Sequence, residues 1–142
     1  MAWIARLLLA AVLLFAALPK AMDPNAFAES IANYRMLPGA WVGPVALAMI
    51  GLETAVALGL LVPAVAQGAA LLATGLFASF SGAMIQALVR GIDIDCGCFG
   101  KGTSPVSPWT IARSALFATA AAFVLWEQRR RRRGGQGRQV RP

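Results

Sequence analysis

The sequence predicts an all-α fold, a four-helix transmembrane bundle with a short interfacial helix between helices 1 and 2. The first observation behind this prediction is composition, because the 142 residues are 58% hydrophobic and only 13% charged, with a mean hydropathy of +0.66. Soluble domains of average composition carry about 25% charged residues. The second observation is order, because the apolar residues form four long runs and the charges lie between or after them. We expect one membrane domain over residues 1–128 and a basic, cytoplasmic, disordered tail over residues 129–142.

The first predicted span covers Trp3–Leu18 and continues through Pro19 to about Ala21, which gives roughly the 20 residues that a bilayer crossing requires. Arg6 is the one charged residue inside this apolar run. A cleaved secretory signal peptide is the competing interpretation, because a basic residue followed by an apolar core has that general form. We favour the span, since the small residues near its end make a poor cleavage pattern. Either interpretation delivers the following residues to the same side of the membrane.

The segment after the first span predicts a short amphipathic helix. Asp23 and Pro24 are typical of an N-cap and a first helical turn, and the sequence Leu37-Pro38-Gly39 is expected to stop the helix. The apolar residues at helical spacing between these points are Phe27, Ile31 and Tyr34. Because this helix is too short to cross a bilayer, we expect it to lie in the interface, with Glu29 and Arg35 toward water.

Two further spans are predicted at Trp41–Val62, closed by Pro63, and at Ala64–Val89. Each contains a stripe of small or polar residues at helical spacing, and such a stripe lets a neighbouring helix approach closely. We therefore expect both stripes to face other helices of the bundle. The stripe of the second span consists of Gly51, Ala55 and Gly59, and that of the third span consists of Gly75, Ser79, Gly82 and Gln86.

The fourth predicted span is Pro108–Trp126, with Ser107 as its candidate N-cap, and five consecutive arginines, Arg129–Arg133, follow shortly after it. Positively charged flanks stay in the cytoplasm, so these arginines place the C-terminus inside, and four spans then place the N-terminus inside too. The predicted outer segments show no positive bias, because four basic residues are balanced by four acidic ones. These residues are Lys20, Arg35, Arg90 and Lys101, and Asp23, Glu29, Asp93 and Asp95. We expect a bacterial inner-membrane protein whose polar loop Arg90–Ser107 is periplasmic.

The net charge of +7 does not indicate a nucleic-acid partner. Seven of the 13 basic residues fall in the last fourteen positions, and aromatic residues do not alternate with them. A surface that binds single-stranded nucleic acid combines basic and aromatic side chains. We interpret the basic tail as an anchor that is attracted to anionic lipid headgroups.

Cys96-Gly97-Cys98 is the most distinctive chemical motif. The chain has no histidine, which excludes imidazole general-base catalysis and histidine-ligated zinc or haem. Two cysteines two positions apart can close a disulfide, and so small a ring is expected to be strained and easily reduced. Three interpretations stay open: redox exchange with a partner thiol, which we favour, a structural disulfide that ties the loop, and a two-coordinate thiolate site for a soft metal such as copper.

The neighbours of the cysteines have opposing effects on thiolate formation. Asp93 and Asp95 disfavour the thiolate, whereas Arg90, Lys101 and the following helix N-terminus favour it. We assign Asp95 a supporting role beside the redox pair.

Charged residues inside the predicted spans are the second set of candidate functional or structural residues. Glu53 lies within the second span, where an ionisable side chain is costly and normally has a partner. At about 1.5 Å per residue, Glu53 lies roughly 13 Å and Arg6 roughly 5 Å from the inner ends of their helices. We therefore hypothesise an Arg6–Glu53 ion pair. Arg113 lies about 8 Å below the outer surface, and we expect it to hold the cysteine loop together with Trp109. For Arg6 and Arg113, snorkelling toward headgroups is the alternative.

Residues along most of the chain resemble the methylamine-utilisation MauE family, within the wider DoxX-like membrane proteins. The resemblance rests on Arg6, Lys20, Asp23-Pro24, Phe27, Ile31, Tyr34, Leu37-Pro38, Glu53, the decapeptide Gly91–Gly100, Trp109 and Arg113. The decapeptide around the cysteines is the specific part. The resemblance implies a four-span bundle and, in methylamine-utilising bacteria, a role in maturing the disulfide-rich small subunit of methylamine dehydrogenase beside a thioredoxin-like partner. Arg6, Lys20 and Glu53 are the candidate structural residues within the membrane.

We therefore expect a membrane protein that supports thiol–disulfide exchange, with the lipid bilayer and a periplasmic thioredoxin-like protein or maturing client as partners. Whether it is itself an enzyme stays open. Direct quinone reduction also stays open, since oxidoreductases that pass electrons to quinones usually relay them between two cysteine pairs and this chain has one. The rival hypothesis is a non-catalytic assembly protein or copper-binding protein in which Cys96 and Cys98 ligate the metal.

Overall fold

A computed structural model describes residues 2–95 and 105–136 of the chain. These residues form five helices. The helices are α1 (Ala2–Met22), α2 (Pro24–Asn33), α3 (Gly39–Leu61), α4 (Ala66–Val89) and α5 (Pro108–Gln136).

Four of these helices are long and apolar enough to cross a membrane, which confirms the predicted four-helix fold. The candidate spans are Trp3–Met22, Gly39–Leu61, Ala66–Val89 and Pro108–Arg130. At about 1.5 Å per residue, each is at least as long as the hydrocarbon core of a bilayer, which is about 30 Å thick. Pro19 lies inside α1 and does not end it, since the backbone N–H of Asp23 still donates to the Pro19 carbonyl at 3.2 Å.

The four long helices form a ring in which each packs against two others. α1 packs against α3 and α5, and α4 packs against the same two helices. Among the described residues, the backbones of the diagonal pairs, α1 with α4 and α3 with α5, do not approach each other. α2 packs mainly against α3, at the end of the ring where α1 finishes. Side chains that point toward the ring axis from diagonal helices therefore meet in the bundle centre.

The apolar core is rich in alanine, which allows the helices to pack closely. Its buried members are Leu9, Ala10, Leu13, Val56, Ala57, Leu60, Ala69, Ala70, Ala73, Leu76, Phe77, Ala121, Val124 and Leu125. All four long helices contribute, so the core runs along the ring axis.

The two small-residue stripes do not face the bundle as predicted. Gly51 and Ala55 are exposed, as are all four residues of the α4 stripe. Among the glycines of the two stripes, only Gly59 lies close to a neighbouring helix, because a Cβ atom there would lie 3.0 Å from the Ala69 Cβ on α4. The buried face of α3 carries Glu53 and Val56 instead, and residue 53 lies about 200° around the helix from residue 51.

α2 begins where the sequence predicts and ends earlier. The Asp23 carboxylate accepts a hydrogen bond from the Ala26 backbone N–H at 3.0 Å, as an N-cap does. The helix was expected to continue toward Leu37, but Asn33 is its last residue and Arg35 adopts a φ of 52°. This left-handed conformation ends the helical hydrogen bonding before the proline is reached. The predicted amphipathic character is confirmed, because Phe27 is buried and Glu29 is exposed.

The start of α5 is capped as predicted, and its end lies further along the chain than expected. Ser107 Oγ accepts from the Thr110 backbone N–H at 3.3 Å, and Thr110 Oγ1 accepts from the Ser107 backbone N–H at 2.9 Å. These reciprocal bonds satisfy donors that the first helical turn leaves free. α5 then continues through Arg129–Arg133 to Gln136. The arginines therefore extend the last helix, where a disordered tail from residue 129 was expected, and residues 137–142 lie outside the described part.

Candidate functional site: a buried ion pair and the base of the cysteine segment

A charged pair lies at the centre of the helix ring. Lys20 on α1 is 1% exposed and Glu53 on α3 is 0% exposed. Lys20 Nζ and Glu53 Oε1 are 2.5 Å apart, which makes the contact both an ion pair and a hydrogen bond. Placing either charge alone in an apolar interior is expensive, so each group is tolerated there because of the other.

The two helices run antiparallel, and this explains how residues at different depths meet. Arg6 on α1 contacts Leu60 on α3, so these two residues lie at the same depth in the bundle, near one end of the ring. Lys20 lies 14 residues beyond Arg6, or about 21 Å along the helix, whereas Glu53 lies seven residues from Leu60, or about 10 Å. The Lys20 side chain therefore reaches back along the helix toward the bundle centre, and the two long side chains close the remaining gap.

Aromatic rings complete the surroundings of the Lys20 ammonium group. Lys20 Nζ lies 4.8 Å from the ring centroid of Phe27 on α2 and 5.0 Å from that of Phe80 on α4. A cation at this distance from an aromatic face is attracted by the electrons of the ring. Four helices therefore converge on one ammonium group.

The hypothesis of an Arg6–Glu53 ion pair is wrong. The Arg6 Nε–H donates to the Leu60 carbonyl at 2.7 Å, and Glu53 pairs with Lys20. Leu60 lies in the last turn of α3, where carbonyl groups lack the N–H partners that a continuing helix supplies. Arg6 therefore satisfies the end of α3, and its guanidinium carbon also lies 4.7 Å from the Trp3 ring centroid. The hypothesis failed because Lys20 was counted among the outer charges, whereas α1 carries it into the bundle interior.

A small cavity of about 20 Å³ adjoins the ion pair. Lys20 and Glu53 line it from one side, and α5 contributes Thr110, Arg113 and Ser114 from the other. Glu53 Oε2 is buried and has no hydrogen-bond partner among the atoms of the described residues. The cavity thus joins a charged group of α3 to polar groups of the diagonal helix α5.

The base of the cysteine motif lies at the α4–α5 end of the ring. Gly91, with a φ of 64°, turns the chain after α4. The Val106 backbone N–H then donates to the Ile94 carbonyl at 2.8 Å, and Asp95 forms an antiparallel bridge with Pro105. Asp95 and Pro105, which flank residues 96–104 (the cysteine segment), therefore lie side by side. Cys96 and Cys98 themselves lie outside the described residues, so the predicted redox pair stays a prediction.

The supporting residues predicted for the motif lie in different surroundings. Asp95 belongs to the bridge at the base of the cysteine segment. Arg113 is half-buried and lines the cavity beside Lys20 and Glu53. Trp109, one turn earlier on α5, is 75% exposed. The structure thus brings Arg113, Lys20 and Glu53 together, while the role of Trp109 at the cysteine segment stays a prediction.

Sequence reasoning missed a set of hydroxyl groups that ties α4 to α5. Ser81 Oγ donates to Ser114 Oγ at 3.0 Å, and Ser114 Oγ donates to the Phe77 carbonyl at 3.2 Å. Thr110 and Ser114 lie four residues apart on one face of α5, and this spacing was the signal available in the sequence. Hydroxyl groups that bond between helices are a recurrent means of joining membrane helices.

Four long apolar helices and a fully buried ion pair among them fit a multi-pass membrane protein. Residues 1–127 match the family described as Methylamine utilisation protein MauE, and the chain belongs to that family. The relatives include the methylamine utilization protein MauE of Methylophilus methylotrophus, 42% identical over 125 residues, and that of Paracoccus denitrificans, 36% identical over 124 residues. The MauE protein of Methylorubrum extorquens is 37% identical over 123 residues.

These alignments cover most of this chain and less of the relatives. They span 87% of this chain with the first two relatives and 85% with the third. The corresponding shares of the relatives are 63% in Methylophilus methylotrophus, 67% in Paracoccus denitrificans and 66% in Methylorubrum extorquens. The chain thus spans about two thirds of their length. No solved structure matches.

Proposed function

We propose that this protein supports methylamine utilisation through thiol–disulfide exchange at Cys96 and Cys98 on the outer face of the bacterial inner membrane. The partner is a periplasmic thioredoxin-like protein or a client that acquires disulfides. The observation that carries the proposal is the closed base of the cysteine segment, formed by the Asp95–Pro105 bridge and the Ile94–Val106 hydrogen bond. The residues that flank the segment with both cysteines, Asp95 and Pro105, thus lie together at one end of the helix ring.

The exchange chemistry needs only the two sulfurs and a partner dithiol. A partner thiolate attacks one sulfur of the Cys96–Cys98 disulfide, the S–S bond breaks, and a mixed disulfide forms. The second partner thiolate then attacks that mixed disulfide and releases the pair as a dithiol. The partner is oxidised by two electrons and the pair is reduced by two. The same steps run in reverse when a thioredoxin-like protein in its disulfide form reoxidises the pair.

The distribution of charge supports the proposed orientation. Arg129–Arg133 extend α5 beyond its apolar part, and a run of basic residues beside a span favours the cytoplasmic side. α4 and α5 are consecutive spans, so the turn between them lies on the side opposite to these arginines. On that side of a bacterial inner membrane, disulfides form and persist.

The experiment that tests this proposal uses the single variants Cys96→Ser and Cys98→Ser in cells that express the full chain. If exchange is the function, at least one single variant accumulates a mixed disulfide with a periplasmic protein, because the second sulfur that resolves the intermediate is missing. Non-reducing electrophoresis followed by mass spectrometry detects the adduct and identifies the partner. The double variant Cys96→Ser/Cys98→Ser is the control and forms no adduct.

Two outcomes contradict the proposal. Methylamine-dependent growth that is unchanged in both single variants shows that the cysteines are not required. Copper that copurifies with the wild type and is lost from either single variant, without any mixed disulfide, indicates a soft-metal site instead.

A further inference from the structure

We propose that an apolar groove between α2, α3 and α4 binds one phosphatidylethanolamine molecule from the membrane leaflet on the side of the cysteine segment. One acyl chain of the lipid occupies the groove, and its zwitterionic headgroup lies among the charged residues at the mouth of the groove. The site is independent of the proposed exchange, because it uses neither cysteine.

The lining of the groove provides the first argument. The groove has a volume of about 280 Å³, and its wall is predominantly apolar. α2 contributes Phe27 and Ile31, α3 contributes Met49, and α4 contributes Phe80 and Ala83. Within a membrane, the medium outside such a groove is the hydrocarbon of the lipid tails, which is as apolar as leucine side chains. An acyl chain therefore matches the chemistry of this wall.

The depth of the groove provides the second argument, and exposed tryptophans indicate the level from which it is measured. Trp41 near the start of α3 is 62% exposed, and Trp109 near the start of α5 is 75% exposed. Consecutive spans run in opposite directions, so both helices start at the end of the ring that carries the base of the cysteine segment. Tryptophan is enriched at the boundary between membrane and water. These two side chains therefore indicate the headgroup level on that side.

The groove extends from this level to the middle of the bilayer. Met49 lies eight residues from Trp41, or about 12 Å along α3. Ser79, also in the wall, lies ten residues from the end of α4 at Val89, or about 15 Å. The hydrocarbon core of a bilayer is about 30 Å thick, so the groove has the depth of one leaflet. A phospholipid of that leaflet has its acyl chains at this depth and its phosphate at the mouth.

Two arginines at the mouth provide the third argument. Arg35 lies in the chain between Tyr34 and Met36, which both line the groove. Arg90 follows the end of α4, and its Nη1 donates to the Tyr34 carbonyl at 3.4 Å. Both arginines are exposed. A guanidinium group forms strong, often paired, hydrogen bonds with phosphate oxygens. The phosphate of a lipid whose chain fills the groove therefore meets two cationic groups.

Acidic residues beside these arginines indicate the type of headgroup. Asp93 and Asp95 line one polar hollow of about 670 Å³ together with Arg35 and Arg90. Two cations and two anions in one hollow suit a headgroup that carries both signs of charge. The phosphate of phosphatidylethanolamine binds the arginines, and its ammonium group binds Asp93. Phosphatidylglycerol has the phosphate but no cationic group to bind a carboxylate, so it is expected to bind more weakly.

Native mass spectrometry of the full chain in detergent tests the proposal with one added lipid at a time. The lipids are phosphatidylethanolamine, phosphatidylglycerol and ubiquinone, and the mass of each complex reports which lipid is bound and how many copies. We expect one phosphatidylethanolamine per wild-type chain, bound about tenfold more tightly than phosphatidylglycerol, because one charge-assisted hydrogen bond is lost with the glycerol headgroup.

Ala83→Phe tests the place of the acyl chain, because Ala83 lines the groove and a phenyl ring there occupies the space of several methylene groups. We expect phosphatidylethanolamine binding to weaken by about tenfold or more. Ala78→Phe is the matched control, since Ala78 lies on the same helix, is exposed and does not line the groove. Its affinity is expected to stay within about twofold of the wild type.

Charge variants at the mouth test the place of the headgroup and stay informative if Ala83→Phe loses helical content by circular dichroism. Arg35→Gln/Arg90→Gln is expected to weaken phosphatidylethanolamine binding by about tenfold or more, whereas Arg129→Gln at the other end of the ring leaves it unchanged. Asp93→Asn is expected to reduce the preference for phosphatidylethanolamine over phosphatidylglycerol. A purely structural role of Asp93 would not alter that preference.

Three results overturn the proposal. Equal binding by the Ala83→Phe and Ala78→Phe variants, with both folded, shows that the chain does not enter the groove. Phosphatidylglycerol bound by the wild type as tightly as phosphatidylethanolamine contradicts the zwitterionic headgroup. Ubiquinone bound more tightly than either phospholipid, and lost in Ala83→Phe, shows that the groove is a quinone site instead.

Discussion

At the scale of single residues, Lys20 and Glu53 place an ion pair inside an otherwise apolar bundle core. A buried ion pair often contributes less to stability than well-packed apolar side chains of the same size, because desolvation offsets the attraction. Removing only one partner is a different matter, since it leaves an isolated charge in the interior. The pair therefore specifies how α1 and α3 are aligned more than it stabilises them.

Replacing both residues of the pair distinguishes the contribution of the ion pair from the cost of a single isolated charge in the interior. Lys20→Met leaves the Glu53 carboxylate without its counter-ion, and we expect the free energy of unfolding in detergent to fall by about 3–5 kcal/mol. Lys20→Met/Glu53→Met is expected to recover most of this loss, because neither member of the pair leaves an isolated charge in the interior. Chemical denaturation followed by tryptophan fluorescence measures both values.

Asn25→Gln on the exposed side of α2 serves as the control for this experiment and is expected to change the free energy by less than about 0.5 kcal/mol. A double variant that is as unstable as Lys20→Met would show that the pair is required for folding, contrary to our interpretation.

Residue-level prediction from the sequence succeeded for Glu53 and failed for its partner. A carboxylate inside an apolar run is costly, so its burial beside a cation follows from composition alone. The choice between Arg6 and Lys20 depends on how two antiparallel helices are aligned and on how far each side chain bends along its helix. Neither the alignment of the helices nor the direction of a side chain can be predicted from the local sequence. Arg6 instead donates a hydrogen bond to the Leu60 carbonyl. This carbonyl lacks a helical N–H partner because α3 ends nearby, and the end of α3 had to be known before this could be predicted.

At the scale of helices, α3 and α4 approach each other closely at Gly59. A Cβ at this position would lie 3.0 Å from the Ala69 Cβ, which is tighter than ordinary van der Waals contact, so a side chain there requires the neighbouring helix to shift. Gly51 lies on the same helix and is exposed, with nothing within 4 Å of a Cβ at that position. The two glycines therefore form a matched pair for substitution.

Gly59→Leu is expected to lower the free energy of unfolding by about 1–3 kcal/mol, because the added side chain must push α4 away. Gly51→Leu is expected to leave it unchanged or to raise it by up to about 1 kcal/mol, since leucine favours the helix more than glycine does. Denaturation of both purified variants provides the comparison. Equal destabilisation by both substitutions would contradict the packing described for α3.

The positions of the four spans were predictable, but the faces of the long helices were not. Apolar run length gives each span directly, whereas α3 and α4 are apolar on all sides because lipid is as apolar as the bundle interior. The spacing of apolar residues then does not indicate which side of the helix is buried. The prediction that the small-residue stripes face other helices was therefore wrong. α2 is the opposite case. It carries charge on one side, so the burial of Phe27 and the exposure of Glu29 could be predicted.

At the scale of the whole molecule, the ring separates two chemically different ends. Arg129–Arg133 extend α5 at one end, and the base of the cysteine segment lies at the start of the same helix. α5 is 29 residues long, or about 44 Å, which matches the thickness of a bilayer with its headgroups. The membrane orientation and the proposed exchange therefore depend on each other: if the arginines lie inside, the cysteines lie outside.

Labelling of intact cells with a membrane-impermeant thiol reagent tests this central claim most directly. The chain has only two cysteines, so every labelled site is Cys96 or Cys98. We predict little labelling before treatment with a reductant and labelling of both cysteines after it, without disruption of the inner membrane. This result would place the pair on the outer face as a reducible disulfide. Labelling that appears only after the inner membrane is disrupted would contradict both the orientation and the proposed function.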